Sequence, residues 1–537
     1  MSIRRPSEIA AVTMTQSFTA NAPSNRFTAG PAIVLYIALA KLLLHLLTAN
    51  RYGIFRDELY YLACADHLDW GYVDQPPLIA LIAWLVRRLF GDSLLALRVL
   101  PAVAGAALVW LSGRLAREMG GGRFAQALTA LAIVFVPIYL ILHHWLTMNA
   151  FEPFLWMGCA WCVVRAINTN RPQYWLWFGL LAGVGMETKY TMAFFAGGIV
   201  VGLLATPERR FLKSKWIWIG AFVALLIFLP NLIWLIRHDF PFLKLMHNIR
   251  ESGRDVARGP LAFIADQALL MNPILFPLWA GGLAWLLFGS DGKRYRMLGL
   301  TYLVMLVLLI VLKGKNYYLA AAYPMLLAAG AVAFERLTNQ NRAESRRRFL
   351  TWLRPVYVGL ILLAGLWLAP MAVPLLPVET YVRYQKANGF EPPKTENQNT
   401  GPLPQYFADE FGWEDMVREV ARVYNSLPPA DRVRTSIFAN SYGQAGAIDF
   451  FGPKYGLPKA ISTHQNYWYW GPGEYTGEIV IVLGSDGKGD REHFRTVEEV
   501  GRVEHPYSRR DEHYPILLCR GLVRPLREIW PNEKKWN

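Results

Sequence analysis

Asp57 and Glu58 stand side by side just past the end of the first long apolar run, Pro31 to Ala49. They belong to the stretch Arg51-Tyr52-Gly53-Ile54-Phe55-Arg56-Asp57-Glu58-Leu59-Tyr60-Tyr61. Carboxylates at the mouth of a bilayer-spanning helix meet low-dielectric surroundings, where charge is costly unless it is used. A carboxylate there can act as general base on an acceptor hydroxyl or amine. It can also help bind a metal that steadies a leaving phosphate. The plainer role is a helix start, with Asp57 as the N-cap before Glu58-Leu59-Tyr60; capping and catalysis do not exclude one another.

The elements that must position this pair follow from composition. The chain has 537 residues, 54% hydrophobic and 18% charged, too apolar for a soluble enzyme of that length. Stretches of about 20 apolar residues are read as transmembrane helices. Spans are expected near 31–49, 94–113, 124–142, 147–166, 174–188, 190–206, 216–236, 268–288, 297–312, 316–334 and 354–373, about eleven in all. The net charge of +15 would point to nucleic acid in a soluble protein. Here the basic residues collect in every second loop: Arg114, Arg117 and Arg123; Arg165 and Arg171; Arg209, Arg210, Lys213 and Lys215; Lys293, Arg294 and Arg296; and the Arg336–Arg354 stretch. The positive-inside rule makes those loops cytoplasmic, and no nucleic-acid partner is expected.

The acidic pair then faces away from the cytoplasm, and so does everything after residue 373, because an odd number of spans reverses the side. Residues 1–30 are expected to form a disordered cytoplasmic leader, without the apolar core and cleavage site of a secretory signal. Residues 31–373 form the transmembrane part. Residues 374–537, richer in Pro and polar residues, form a small external α/β domain. In it Gly412–Leu427 and Asp490–Val500 read as helices, and Arg432–Ala439, Glu478–Gly484 and Tyr514–Leu522 as strands. The first external loop, about 50–93, is long. It holds two apolar-patterned helices, Leu59–Leu68 and Pro77–Phe90, expected to lie along the membrane surface. Cys159 and Cys162 read as packing residues of one span. Cys64 and Cys519 fall outside, where a disulfide is permitted.

Other features could carry chemistry. His143 and His144 are adjacent, so they do not share a helix face, and they read as interfacial histidines. His67 could join Asp57 as a ligand, although its spacing does not demand it. Asn466-Tyr467-Trp468-Tyr469-Trp470 offers aromatic faces for a sugar acceptor, or for docking onto the protein's own loops. Ser441-Tyr442-Gly443-Gln444-Ala445-Gly446 follows a strand and opens a helix, a weak likeness to a phosphate cradle.

Phe55-Arg56-Asp57-Glu58-Leu59-Tyr60-Tyr61, followed by Asp74-Gln75-Pro76-Pro77-Leu78, resembles the first external loop of bacterial GT-C glycosyltransferases. These form the glycosyltransferase family 39 group, related to dolichyl-phosphate-mannose–protein mannosyltransferases and lipid A aminoarabinose transferases. Gly179-Leu180-Leu181-Ala182-Gly183 with Lys189-Tyr190, Leu229-Pro230-Asn231-Leu232-Ile233-Trp234, and Lys315-Asn316-Tyr317-Tyr318 with Tyr323-Pro324 agree in order and spacing over about residues 30–370.

The resemblance implies a GT-C fold and a polyprenyl-phosphate sugar donor. Transfer would go to an envelope acceptor (lipid A, polysaccharide, glycolipid or protein) on the periplasmic face of the inner membrane, with inversion. Asp57 would be the base, and Glu58 would support it or help hold a divalent metal, which stays open as a cofactor. Tyr60 and Tyr61 would line the substrate. Arg56, Lys189, Arg237, Lys315 and Tyr318 are the groups to receive the leaving phosphate. Two departures stand out. Asn149 occupies the place of an acid that many relatives carry in a Thr-x-Asp arrangement, and Glu152, one turn later on about the same face, would supply the missing catalytic carboxylate or else pair with a neighbour or face water. Gln75 replaces a Lys that some relatives have before the Pro pair. A transporter or flippase of lipid-linked sugars, or a non-catalytic envelope assembly protein, is the alternative. A transporter would be expected to show internal repeats and broken midplane helices, and no repeat is evident.

Overall fold

The computed structural model describes residues 29–256, 258–339, 344–390, 396–397, 399 and 401–537, the side chains of 344–351 excepted. The expectation of a disordered leader falls almost wholly on residues outside this set. Each apolar run becomes helical. The first helix, Gly30–Thr48, starts on a proline in its first turn, where the missing N–H costs nothing. Leu94–Glu118 is capped by Ser93, whose hydroxyl accepts from Ala96 N at 3.2 Å. Among the described residues seven helices are individually long and apolar enough to cross a membrane, and two bent helix pairs raise this to nine. The rest of the expected set are shorter helices, Tyr174–Thr188 and the broken pair Arg123–Val134 and Pro137–Leu142.

Close crossings depend on small residues. A Cβ on Gly179 would strike the Gly220 carbonyl, and one on Gly330 the Leu278 carbonyl. Backbones can approach this closely only where side chains are absent, a common basis of helix packing in lipid. Helix Lys215–Arg237 leaves Trp218, Phe222, Leu225 and Leu226 exposed, the all-round apolar surface of a lipid-facing helix. The chain is a multi-pass membrane protein.

The C-terminal region builds a five-stranded sheet from β1 (Thr435–Ala439), β2 (Ala460–Ile461), β3 (Ile479–Leu483), β4 (Phe494–Val503) and β5 (Tyr514–Leu522). The order is β2-β1-β3-β5-β4, with β1 parallel to β2 and β3, and β5 antiparallel to β3 and β4. Residues 490–500 correct the sequence reading. Only Asp490–His493 is helical, and the rest is β4, paired along β5. β4 is an edge strand with half of its ten residues exposed. Its charges resemble a helical surface in sequence, whereas in the fold they guard a sheet edge.

The two first-loop helices form as Arg56–Asp66 and Leu78–Phe90. The second shows Leu81, Leu85, Leu89 and Phe90 outward, as a helix resting on a bilayer would. The first does not lie on the surface. All its residues except Asp57 and Asp66 are buried. Its Leu59, Leu62 and Ala63 share one apolar cluster with Ala445 and Ile448 of the helix after β1 and with Ile437 and Ile481 of the sheet. The α/β domain is therefore packed onto the first loop through a continuous core.

Candidate active site

Helix Arg56–Asp66 begins one residue before the acidic pair. Phe55, not Asp57, is its N-cap, and the Glu58 carboxylate accepts from Phe55 N at 2.9 Å. Glu58 is fully buried. It also accepts from Leu146 N at 2.9 Å and from Arg98 Nε and Nη2 at 3.2 and 3.0 Å. Arg98 projects from helix Leu94–Glu118 and is 1% exposed. It donates further to the Ala49 and Gly53 carbonyls, at 2.8 Å each, and to Glu410 of the C-terminal region at 3.2 Å. Glu58 is thus spent on holding the loop.

Asp57 is left half-buried. Its Oδ1 accepts from the Tyr442 hydroxyl at 2.8 Å. The Arg56 guanidinium lies 4.6 Å over the Tyr442 ring, and Tyr60 packs against that ring with centroids 4.7 Å apart. Burial works against the Arg56 cation, but Tyr442, Asp409, Glu512 and Asp57 outweigh it and keep it above its ordinary range. Burial pushes the Tyr442 phenol up, so it stays a donor to Asp57. Tyr60 donates to Asp74 Oδ1 at 3.0 Å. Burial pushes Asp74 up to about 7, and the nearby Asp57 charge adds to this.

Tyr442 comes from the segment read in sequence as a weak phosphate cradle. The structure gives that segment another role. Ser441 and Gln444 form a reciprocal cap, and Tyr442 N donates to His464 Nδ1 at 3.0 Å, so the helix N-terminus is already satisfied. Gly443 and Gly446 let helix Tyr442–Phe451 approach helix Arg56–Asp66. A Cβ on Gly446 would come 2.9 Å from the Leu59 backbone. Gly446→Val is expected to cost about 1–3 kcal/mol through overpacking and to lower activity by shifting Tyr442. Thermal unfolding in detergent together with the transfer rate would check this.

A second group assembles where three helices meet. Lys189, at the break after helix Tyr174–Thr188, donates to Asn149 Oδ1 at 2.8 Å and to Glu152 Oε2 at 3.2 Å. Thr191 donates to the other Glu152 oxygen. Lys189 Nζ lies 3.9 Å over the Tyr318 ring. Asn149, Glu152, Lys189 and Tyr318 are therefore brought together. Tyr317, beside them, lies within electrostatic range of Asp57, Glu396 and Asp255. A third group contains Lys315, which reaches Glu396 at 3.0 Å and Asp255 at 3.3 Å, and Arg254, which reaches Glu396 at 2.7 Å.

Some expected residues stay apart. Arg237 is exposed at its helix end, with no hydrogen-bond or ion-pair partner among the described residues. Gln75 is buried and turns its amide nitrogen to Cys64 Sγ at 3.7 Å. Tyr61 is buried near Asp57 and Asp74. His67 stacks on Trp470 at 4.3 Å, so the aromatic loop docks on the first loop, as does Asn466, which accepts from Val73 N at 2.7 Å. His144 sits 3.2 Å from Arg98 Nη1. All four cysteines are buried and free. Among the described residues no three His, Cys, Asp or Glu side chains converge as metal ligands.

Arg98, Arg254, Glu396, Asp409 and Glu410 were not singled out from sequence, and Tyr442 was named there only within the phosphate-cradle segment. Arg98 carried a signal, a charge inside an apolar run. The others carried none, since they converge only through the docked domain. Arg98 also faces two carboxylates with one positive charge. Burial and the Glu58 charge push Glu410 up to about 8, against the pull of Arg98. Because this folded value lies above the unfolded one, the stabilisation is complete below the unfolded value and is lost as pH rises through about 8. Glu410→Gln is expected to match the parent in melting temperature near pH 4 and to exceed it increasingly as pH rises towards about 8. Melting curves across that range would check this.

The site lies where a helical membrane bundle meets a C-terminal sheet domain packed on a carboxylate-bearing first loop. ArnT from Cupriavidus metallidurans, solved bound to undecaprenyl phosphate, superposes with a TM-score of 0.58 at 14% identity, covering 90% of this chain and 97% of that one. Its apo state gives 0.55 over the same shares. Residues 74–234 match the dolichyl-phosphate-mannose-protein mannosyltransferase family. The lipid A galacturonosyltransferase RgtD of Rhizobium johnstonii is 29% identical over 297 residues, which cover 52% of this chain and 59% of that protein. The likeness to ArnT shows the fold, and the match to RgtD spans about three fifths of that protein's length.

Proposed function

We propose that this protein moves a sugar from a polyprenyl-phosphate donor to an envelope glycolipid, with inversion at the anomeric carbon. The reaction runs on the periplasmic face of a bacterial inner membrane. The N-terminus is cytoplasmic, and residues 374–537 form the periplasmic domain. The observation that carries this reading is the state of Asp57. Its carboxylate is half-buried, is steadied through one oxygen by Tyr442, and takes no further hydrogen bond among the described residues. Glu58 and Glu152, by contrast, have their oxygens engaged. Asp57 takes the proton of the acceptor hydroxyl as that oxygen attacks the anomeric carbon. The bond from that carbon to the phosphate oxygen breaks, and polyprenyl phosphate departs with the electron pair.

The developing phosphate charge needs fixed cations. Arg254 and Lys315 supply them, Arg254 in a fork that can grip two oxygens and Lys315 as a point charge. Arg56 and Lys189 lie on the flanks, each anchored by an aromatic ring. Glu152 and Asn149 hold Lys189 in place. The names of RgtD and of undecaprenyl-phosphate-bound ArnT support a lipid-linked donor and a lipid A-like acceptor. The test is to give the purified protein a radiolabelled polyprenyl-phosphate sugar and a lipid A acceptor in vesicles. Label should move to the acceptor as polyprenyl phosphate is released. Retention of all label on the donor would refute the reading.

A further inference from the structure

The cations that would receive the leaving phosphate are not idle. Glu396 is 5% exposed. Its Oε1 accepts from Arg254 Nη2 at 2.7 Å and from Lys315 Nζ at 3.0 Å, and its Oε2 accepts from Gln405 Nε2 at 3.1 Å. Burial opposes the charge, yet Lys315 and Arg254 hold the carboxyl well below its usual range. A forked guanidinium, an ammonium and an amide converging on two oxygens of one anion is also the donor set that recognises phosphate. The carboxylate arrives on a short backbone pairing: Asp255 bridges Glu396, Asn397 N donates to Arg254 O at 2.9 Å, and Asn397 Nδ2 donates to Gly253 O at 2.8 Å.

We propose that Glu396 is a built-in surrogate for the donor's phosphate, which yields the Arg254–Lys315 seat when donor binds and retakes it to expel polyprenyl phosphate. The inference rests on the glycosyl-transfer reading above. Its charge logic is simple. The donor's phosphate is a diester with one negative charge, matching the carboxylate it replaces. The product is a monoester that gains a second charge near neutral pH. Two cations would hold that product more tightly than the donor, and turnover would stall on release. A tethered carboxylate at high effective concentration competes for the same cations and shortens the product's stay. The same competition lowers apparent donor affinity by the fraction of molecules in which the seat is free.

Glu396→Gln removes the competitor's charge while keeping its shape. Full-length protein in nanodiscs should bind polyprenyl phosphate roughly tenfold more tightly as the variant than as the parent. In transfer assays the variant's donor KM and kcat should both fall. Equal or weaker binding by the variant would overturn the proposal, because it would make Glu396 a mere positioning residue for the two cations. A measurement on the unmodified protein guards against a folding defect. Deuterium uptake at residues 396–399 should rise when polyprenyl phosphate is added, since the Asn397–Arg254 pairing opens as the carboxylate leaves. Unchanged or reduced uptake with ligand bound would overturn the idea. If the unmodified protein neither binds polyprenyl phosphate nor transfers sugar, the glycosyl-transfer reading fails as well. If it does both without the rise in uptake, only the surrogate role fails.

Discussion

Asp57→Asn is expected to lower sugar transfer by about a thousandfold while the protein still accumulates in membranes and binds polyprenyl phosphate as the parent does. The reason is local. Asn keeps an oxygen that accepts from the Tyr442 hydroxyl, so the 2.8 Å contact survives. The helix cap and the buried ion pair belong to Phe55, Glu58 and Arg98, which the change does not touch. What is lost is the ability to take the acceptor's proton as its oxygen attacks. The donor's phosphate contacts come from other residues, so donor KM should stay near the parent value while kcat falls. Steady-state transfer from a labelled donor, with quantified membrane protein, measures both. Parental kcat in this variant would remove Asp57 from the mechanism. A large rise in donor KM at constant kcat would recast it as a binding residue.

Much of this site is visible in sequence, but only the part that lies within one stretch of chain or one membrane side. Apolar runs announced the spans because no other pattern keeps backbone groups paired in lipid. Asn149, Glu152, Lys189 and Tyr318 could be grouped because each lies near a span end on the same expected side. Glu58 looked like a second catalytic acid because sequence shows two adjacent carboxylates and not the guanidinium that engages one of them. Arg98 lies 40 residues on, and Glu410 lies 312 residues beyond Arg98. Tyr442 and Glu396 arrive through docking of the α/β domain, which no local periodicity encodes. The misread strand β4 has a similar origin. Its charged faces suit a helix surface as well as an edge strand, and only its pairing with β5 decides between them.

Arg98→Met should destabilise the protein by about 3–5 kcal/mol, the usual cost of stripping one partner from a buried ion pair. Glu58, 0% exposed, would be left with the Phe55 and Leu146 amides as its hydrogen-bond donors among the described residues. Glu410 would lose the guanidinium that donates to it at 3.2 Å, and the Ala49 and Gly53 carbonyls would lose a donor. The damage should not be confined to stability. Glu58 follows Asp57 in the first turn of the same helix, and Gly53 lies directly beneath the Glu410 backbone, so loosening this knot loosens both the base and the domain that steadies it. The melting temperature in detergent and the transfer rate should fall together. Adding Glu58→Gln to Arg98→Met separates charge from packing, because a neutral amide removes the stranded charge and keeps most of the side chain's volume. The double variant is expected to regain part of the lost stability, which a double-mutant cycle reads as coupling between the two sites. Since Asp57 is intact in the double variant, transfer should return in proportion to stability. Additive losses in the cycle would mean that the Arg98–Glu58 contact contributes nothing to the fold, and that the first loop is held by the apolar cluster around Leu59 alone.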